Sequence, residues 1–488
     1  MRSSSPKVVA VAEPLASEVP ARLEPADLAG LEVLVAGLGR SGRAAALHLA
    51  RLGAKVLACD DAEVPGAELE AAGIDVRTGG SRVELLDHRQ LLVVAPGLPE
   101  RHPLIQAALG AGVPVWSDVE LGARLARAQL VGVTGTNGKS TTAELASAML
   151  SASGRRAAAS GTVGLPLIDA ALARRAPEVL VVELSSFQLR FCHSLHLVAG
   201  AWLNFAPDHL DWHADLGAYA AAKARIWANQ GPGDWSVYAA DDPVVASHAA
   251  RAPGTPVPFG VGRVPAGGLG IEAGIALSRV KGHEGPLWRA AALRLPGRHN
   301  LANALAASGL ALALGGHPAA MARAVAAFRA SPHRLAWVAE VDGVTFVDDS
   351  KATNPHAAAR AIGAFQRVVW IAGGRSKGLA FDELAAEARS RLVGAVLLGE
   401  AAEELGAALD RGGYQGPMVS AVSMSEAVTL AFSLAERGDT VLLAPACASF
   451  DMYSGYAERG EAFTAGVGRL AQRRGAGSPE GGGPAAQP

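Results

Sequence analysis

Gln129 to Leu150 reads "QLVGVTGTNGKSTTAELASAML". A short apolar run ending near Val133 meets a glycine-rich turn, and a helix-forming stretch follows. Strand, glycine loop and helix in that order are what a phosphate-binding loop requires. Backbone amides of Gly135, Thr136, Asn137 and Gly138 then curve round an anion. Lys139 reaches the terminal phosphates, and Ser140, followed by Thr141, offers its hydroxyl to Mg²⁺. The match to G-x-x-x-x-G-K-[ST] is imperfect, because Val133 stands six places before Lys139, with glycines at 132 and 135 instead.

Upstream, "VLVAGLGRSG" (Val33–Gly42) is a second strand running into G-x-G-x-x-G. Gly37 permits the tight turn, Gly39 lets a pyrophosphate approach the backbone, and Gly42 lets the new helix pack on its strand. The helix starting near Arg40 and Ser41 directs free amides at an anion. Asp60 follows at the end of "AKVLACDD". Alone, this loop suits any nucleotide diphosphate, a nicotinamide cofactor included. A lysine-bearing phosphate loop ninety residues later is something hydride transfer does not need.

Short buried strands separated by Ala-rich helical stretches make the chain α/β with parallel sheets. At 488 residues it exceeds one core and suggests about three domains. We place a loose extension at 1–29, a Rossmann-like block at 30–127, a central block with the phosphate loop at 128–330, a third α/β block at 331–472 and a disordered tail at 473–488. Net charge of −2 argues against nucleic acid or an anionic membrane as partner. The three cysteines, Cys59, Cys192 and Cys447, are scattered and form no C-x-x-C, which fits a reducing cytoplasm. No run approaches the roughly 18 apolar residues of a membrane span. A cytoplasmic monomer is expected.

Other chemistry-bearing residues are ambiguous singly. Glu183 ends the apolar strand of "EVLVVELSSFQL", where a carboxylate can point into the cleft at a sheet's carboxyl edge. Asp208, His209 and Asp211 cluster in "FAPDHLDWH", with spacing that does not match zinc. Lys223, in "AYAAAKARIW", reads by position as an exposed helix lysine.

Together, "TGTNGKST", "ELSSFQL", "PDHLDWH" with "AAKARI", "GRHNLANALAA", "PHR" and "DDSKATN" resemble, in the same order, the Mur ligases, ATP-dependent amide ligases of peptidoglycan precursor synthesis. The resemblance runs from about Leu31 to Leu470. Several motifs are shared with the wider family, which includes folylpolyglutamate synthase. "VDDSKATN" and "APACASFDMYSGYAERGEAF" narrow it to the members that add D-glutamate.

The resemblance implies three α/β domains, a Rossmann-like one at each end of a P-loop ATPase-type sheet. UDP of UDP-N-acetylmuramoyl-L-alanine would lie on Gly37, Gly39, Arg40, Ser41 and Gly42, with Asp60 or Asp61 at the nucleoside. ATP would take Gly135–Thr141, Asn303, Arg334 and Asp349. Ser140, Glu183 and His209 carry over as Mg²⁺ ligands. Lys223 matches the family's carbamylated lysine, a group that serves Mg²⁺. Lys139, Glu183, His209 and Lys223 form the implied catalytic set. Lys351, Thr353, Lys377, Ser449 and Tyr456 fall where D-glutamate is held. Two positions depart from the family: Thr162 stands where Asn is usual near the substrate carboxylate, and Tyr456 replaces the commoner Phe. The competing readings are a family member that adds another amino acid and an NAD(P)-dependent oxidoreductase.

Overall fold

The apolar runs of the sequence become strands buried on both faces, as a parallel sheet covered by helices demands. In the computed structural model, which describes residues 22–162 and 164–475, the first five strands are β1 (Glu32–Ala36), β2 (Lys55–Cys59), β3 (Asp75–Arg77), β4 (Leu91–Val94) and β5 (Val115–Ser117). They form one parallel sheet in the order β3-β2-β1-β4-β5. The order reverses beside β1, and the Gly37–Gly42 loop lies at its carboxyl end, where doubly wound sheets bind ligands. Gly37 has φ +91°, and a Cβ there would lie 2.8 Å from that of Ala95. A side chain on Gly42 would collide with the Gly37 carbonyl, so the Arg40–Arg51 helix reaches its strand only without one.

Next come β6 (Gln129–Thr134), β7 (Ala157–Gly161), β8 (Val179–Glu183) and β9 (Ala199–Trp202). β8 pairs in parallel with both β6 and β7. β10 (Trp235–Ala239), β11 (Thr255–Gly260) and β12 (Leu269–Glu272) are parallel neighbours in sequence. β13 (Ile275–Ser278) and β14 (Gly285–Arg289) then turn back antiparallel. The last six are β15 (Ala336–Val341), β16 (Val344–Asp348), β17 (Val368–Gly373), β18 (Leu392–Leu398), β19 (Met418–Ser420) and β20 (Thr440–Leu443). They form a sheet ordered β15-β16-β20-β17-β18-β19, parallel except at β15, with an apolar cluster on each face.

Two compact units result. Among the described residues, the first holds 22–134, Arg156–Gly200 and Trp212–Asp234; the second holds Gly135–Arg155, Ala201–Asp211 and 235–475. Of the terminal stretches expected to be loose, residues 1–21 and 476–488 lie outside the described residues. Residues 22–29 are packed instead. Leu23 and Leu28 are buried in the first unit's core, and the Leu23 amide donates to the Arg124 carbonyl at 2.9 Å. Two leucines in a short polar stretch suffice to anchor it. Residues 473–475 finish and cap the long helix Tyr456–Arg473. Among the described residues no helix is long and apolar enough to cross a membrane.

The first unit also buries an ion pair. Arg124 Nε donates to Glu120 Oε1 at 2.8 Å, and the guanidinium lies 4.2 Å from the Trp116 ring centre. The same oxygen accepts from the Ser194 amide at 2.9 Å and hydroxyl at 2.7 Å. Glu120→Ala removes the carboxylate that faces a buried cation and the link to Ser194, so it is expected to destabilise the chain by about 3–5 kcal/mol. Urea unfolding of the variant checks this, and a loss below about 1 kcal/mol would show the pair to be dispensable.

Candidate nucleotide and ligation site

In the second unit the phosphate loop is held open by its own backbone and by Asn204. Gly135 has φ +155° and Gly138 φ +87°, a conformation that leads directly into the Lys139–Ala152 helix. A side chain on Gly138 would fall on the Asn303 amide, which places Asn303, in the Arg298–Ala313 helix, directly against the loop. Asn204 Oδ1 accepts from the Asn137 amide at 3.0 Å while its Nδ2 donates to the Asn137 carbonyl at 2.9 Å. The Thr136 hydroxyl donates to the Ala206 carbonyl at 3.1 Å. Lys139 Nζ folds back to donate to the carbonyls of Gly135 and Thr136, each at 3.0 Å. Its ammonium is thus fixed over the loop, and the helix start adds its own positive end.

Arg334 joins this loop: its Nη2 donates to Ser140 Oγ at 2.6 Å. Its neighbours His333 (φ +64°) and Leu335 (φ +49°) occupy the left-handed region, where non-glycine residues are uncommon. That strain is held by the strand end behind it. His333 Nδ1 lies 2.6 Å from Asp348 Oδ2, and the Leu335 amide donates to Asp349 Oδ1 at 3.2 Å. Burial pushes the Asp349 carboxyl up to about 7, against the Leu335 amide and Arg334.

The segment after β16 also reaches the loop. Asn137 Nδ2 contacts His356 Nδ1 at 2.8 Å and Asn354 Oδ1 at 3.3 Å. Asn354 Nδ2 donates to Asp208 Oδ2 at 2.9 Å, and Lys377 Nζ lies 3.4 Å from the other oxygen. Burial opposes ionisation of Asp208, yet Lys377 and His209 hold its carboxyl below the usual range. His209 itself has φ +56°, its amide donates to Asp208 Oδ1 at 2.9 Å, and its ring stands 3.6 Å from Oδ2. Burial and Arg360 push His356 down to about 3, so its ring is neutral. Lys351 Nζ sits 3.8 Å from the Tyr456 ring centre, and the Thr353 amide donates to the Lys351 carbonyl at 2.8 Å. Ser449 is buried in the loop after β20.

In the first unit Glu183 ends β8, buried, and its carbonyl accepts from the Thr162 amide at 3.2 Å. Thr162 Oγ1 faces two acceptors, Gln188 Oε1 at 2.8 Å and the Glu183 carbonyl at 3.3 Å. A hydroxyl has one proton, so here it is committed within the chain. Gln188 Nε2 donates to both oxygens of Asp118, at 3.1 and 3.2 Å. Burial raises Asp118 to about 6, opposed by its hydrogen bonds from Gln188 and from Ser41 of the first glycine loop. Lys223 is not the exposed lysine its position suggested: it is 1% exposed, with Nζ 4.6 Å from the Tyr219 ring centre. The amphipathic face of Leu216–Ala224 turns inward at this point. The His213 ring lies 5.1 Å from the Tyr219 ring centre, tilted by 43°, and contacts Ser186 Oγ at 2.8 Å. Burial and the Lys223 charge push His213 down to about 4.

The first glycine loop is braced by the residue expected at the nucleoside. Asp60 Oδ2 accepts from the Leu38 amide at 2.6 Å and Oδ1 from the Ala62 amide at 2.9 Å. Gly39 caps the helix that Arg40 and Ser41 begin.

Ser140 in the second unit and Glu183 in the first each offer a hard oxygen donor of the kind Mg²⁺ takes. A lysine ammonium is no ligand, so Lys223 fits only as a carbamate. Among the described residues no three His, Cys, Asp or Glu are grouped to hold a metal ion. Sequence reasoning missed Asn204, Asn354, His356, Asp118 and Gln188. An Asn closing the apolar run "AWLN" was the one available signal for Asn204.

Residues 31–117 match the Mur ligase MurD-like N-terminal domain, 133–311 the Mur ligase middle domain and 333–447 the Mur ligase glutamate ligase domain. A UDP-N-acetylmuramoylalanine–D-glutamate ligase of Frankia casuarinae is 48% identical, covering 90% of this chain and 94% of the relative. One of Streptomyces coelicolor is 44% identical over 91% of this chain and 99% of its own length. Among solved structures, UDP-N-acetylmuramate-alanine ligase MurC from Thermotoga maritima shares the fold, with TM-score 0.56 and 20% identity over 91% of this chain and all of that one. The chain belongs to the Mur ligase family.

Proposed function

We propose that this chain joins the alanyl carboxylate of UDP-N-acetylmuramoyl-L-alanine to the amine of D-glutamate, converting ATP to ADP and phosphate. The phosphate loop with Lys139 folded over it carries the reading, and relatives bearing that activity in their names, 41–48% identical, support the choice of substrates.

A carboxylate oxygen is a poor leaving group, so the carboxylate needs activation. Its oxygen attacks the γ-phosphorus of ATP, the bond to the bridging oxygen breaks, and ADP leaves. The amine of D-glutamate then attacks the carbonyl carbon of the acyl phosphate. The tetrahedral intermediate expels phosphate and loses the ammonium proton to solvent.

The chain's residues serve this by binding and charge. Amides of Gly135–Gly138 and the Lys139 ammonium hold the triphosphate and offset its charge as the carboxylate approaches. Asn303 and Arg334, already against the loop, and Asp349 complete the ATP site. Gly37–Gly42, with Arg40 and Ser41, take the uridine diphosphate, and Asp60 keeps that loop in shape. Lys351 and Lys377 suit a dicarboxylate, with Thr353, Ser449 and Tyr456 around it. Mg²⁺ would supply further neutralisation of the phosphates, with Ser140 and Glu183 as ligands of one ion, His209 as a ligand of a second, and Lys223 serving the metal if carbamylated. Thr162, its proton committed to Gln188, orients that side chain.

Phosphate release with the UDP substrate is expected with D-glutamate and Mg²⁺, and not with L-glutamate or meso-diaminopimelate. Turnover with another amino acid alone would replace the proposed substrate. Lys139→Ala should lower kcat/KM by about 10²–10³-fold.

Carbamylation of Lys223 has its own signature. Beside an ammonium, His213 titrates at about 4, so stability that needs its neutral ring is present above pH 6.5 and is lost as pH falls through 4. Beside a carbamate the neighbouring charge is negative, and the His213 pKa should climb toward 6.5 when bicarbonate is added. NMR titration of the ring reads this; no response to bicarbonate would leave Lys223 unmodified.

A further inference from the structure

Arg459 stands in the first turn of the Tyr456–Arg473 helix, 3% exposed. Both facts count against a cation. The helix start is the positive end of the dipole, and burial of a guanidinium forfeits its hydration. No carboxylate is among its hydrogen-bond partners. Burial pulls its pKa down to about 10, which leaves it charged at neutral pH.

Its donors go almost wholly to backbone carbonyls of three loops. Nε donates to Ser350 Oγ at 3.0 Å and Nη2 to the Ser350 carbonyl at 2.9 Å, beyond the end of β16. Nη1 reaches the carbonyl of Gly373, the last residue of β17, at 3.4 Å. Cys447, after β20, accepts from Nη1 and Nη2, each at 3.2 Å, and Ala448 accepts from Nη1 at 3.3 Å. Ser350 in turn donates its hydroxyl to the Tyr456 carbonyl at 2.7 Å. Room for the guanidinium comes from Gly374, where a Cβ would lie 3.1 Å from Nη1 and collide with the Ala448 carbonyl.

Those loops carry the residues assigned above to the amino acid. Ser350 lies next to Lys351 and three residues before Thr353, Gly373 four before Lys377, Ala448 next to Ser449, and Tyr456 opens the helix of Arg459 itself. We propose that Arg459 is the positioning residue of the amino-acid subsite, one planar cation that fixes three strand-end loops so that their side chains converge on the D-glutamate carboxylates. It touches no substrate. A guanidinium presents five N–H groups in a fixed plane, whereas a lysine ammonium presents three on a flexible stem and cannot span three loops. The proposal rests on the D-glutamate subsite described under the proposed function.

Steady-state kinetics of Arg459→Lys, Ser350→Ala and Lys377→Ala test it. Arg459→Lys keeps the charge and is expected to raise KM for D-glutamate about tenfold, leaving KM for ATP and for UDP-N-acetylmuramoyl-L-alanine within about twofold. Ser350→Ala, which removes one acceptor of Arg459 and the hydroxyl's bond to the Tyr456 carbonyl, should raise KM for D-glutamate about threefold and serves if the lysine variant fails to fold. A rise shared equally by all three substrates, or no rise for D-glutamate in either folded variant, overturns the positioning role. Lys377→Ala is the control on the subsite. If it leaves KM for D-glutamate unchanged, the subsite assignment falls and takes the proposal with it; if it raises KM while the other variants do not, only the role of Arg459 is lost.

Discussion

Gly138 can carry no side chain. Its φ of +87° and the Asn303 amide pressed against it leave room for hydrogen alone. That constraint turns the chain from loop to helix within one residue and sets the glycine loop at a helix start, whose positive end favours an anion. The hydrogen bonds of Asn204 and the fold-back of Lys139 operate on a loop already shaped by this glycine. Without that shape the neighbouring contacts of Arg334, Asn303 and Asn137 have nothing to converge on.

Sheet geometry supplies the rest. Glu183 ends β8, Asp348 ends β16, Gly373 ends β17, and Cys447 to Ser449 follow β20, so the residues proposed to serve the reaction stand at or next to the carboxyl ends of parallel strands. Polar groups buried there are costly unless partnered. The structure partners them in chains: Thr162 to Gln188 to Asp118 in one unit, Asn137 to Asn354 to Asp208 to Lys377 in the other. Each chain commits specific protons and lone pairs, which decides which atoms are left to face a ligand.

Much of this was legible in the sequence. Apolar runs bounded by glycine gave the parallel strands, and "GTNGKST" gave the strand-loop-helix turn because its signals are local. The antiparallel strands β13 and β14 were not anticipated, since "IALS" and "GPLWR" are short and carry no long apolar run. Burial of Lys223 was hidden because a single lysine does not disclose which helix face turns inward. The polar networks were beyond reach for another reason. Asn137 and Asn354 meet across 217 residues, and Asp118 and Gln188 across 70; no short-range pattern encodes such pairs. Resemblance supplied the residues proposed to meet ligands, whereas side chains that brace the loops carrying them, Asn204 and Arg459 among them, emerged only from the fold.

A crystal structure with a non-hydrolysable ATP analogue and the UDP sugar substrate present together tests the account most directly. It predicts triphosphate density against the amides of Gly135–Gly138 and Lys139, with the uridine diphosphate at Gly37–Gly42. Triphosphate at Gly39 with the Gly138 loop empty would contradict it.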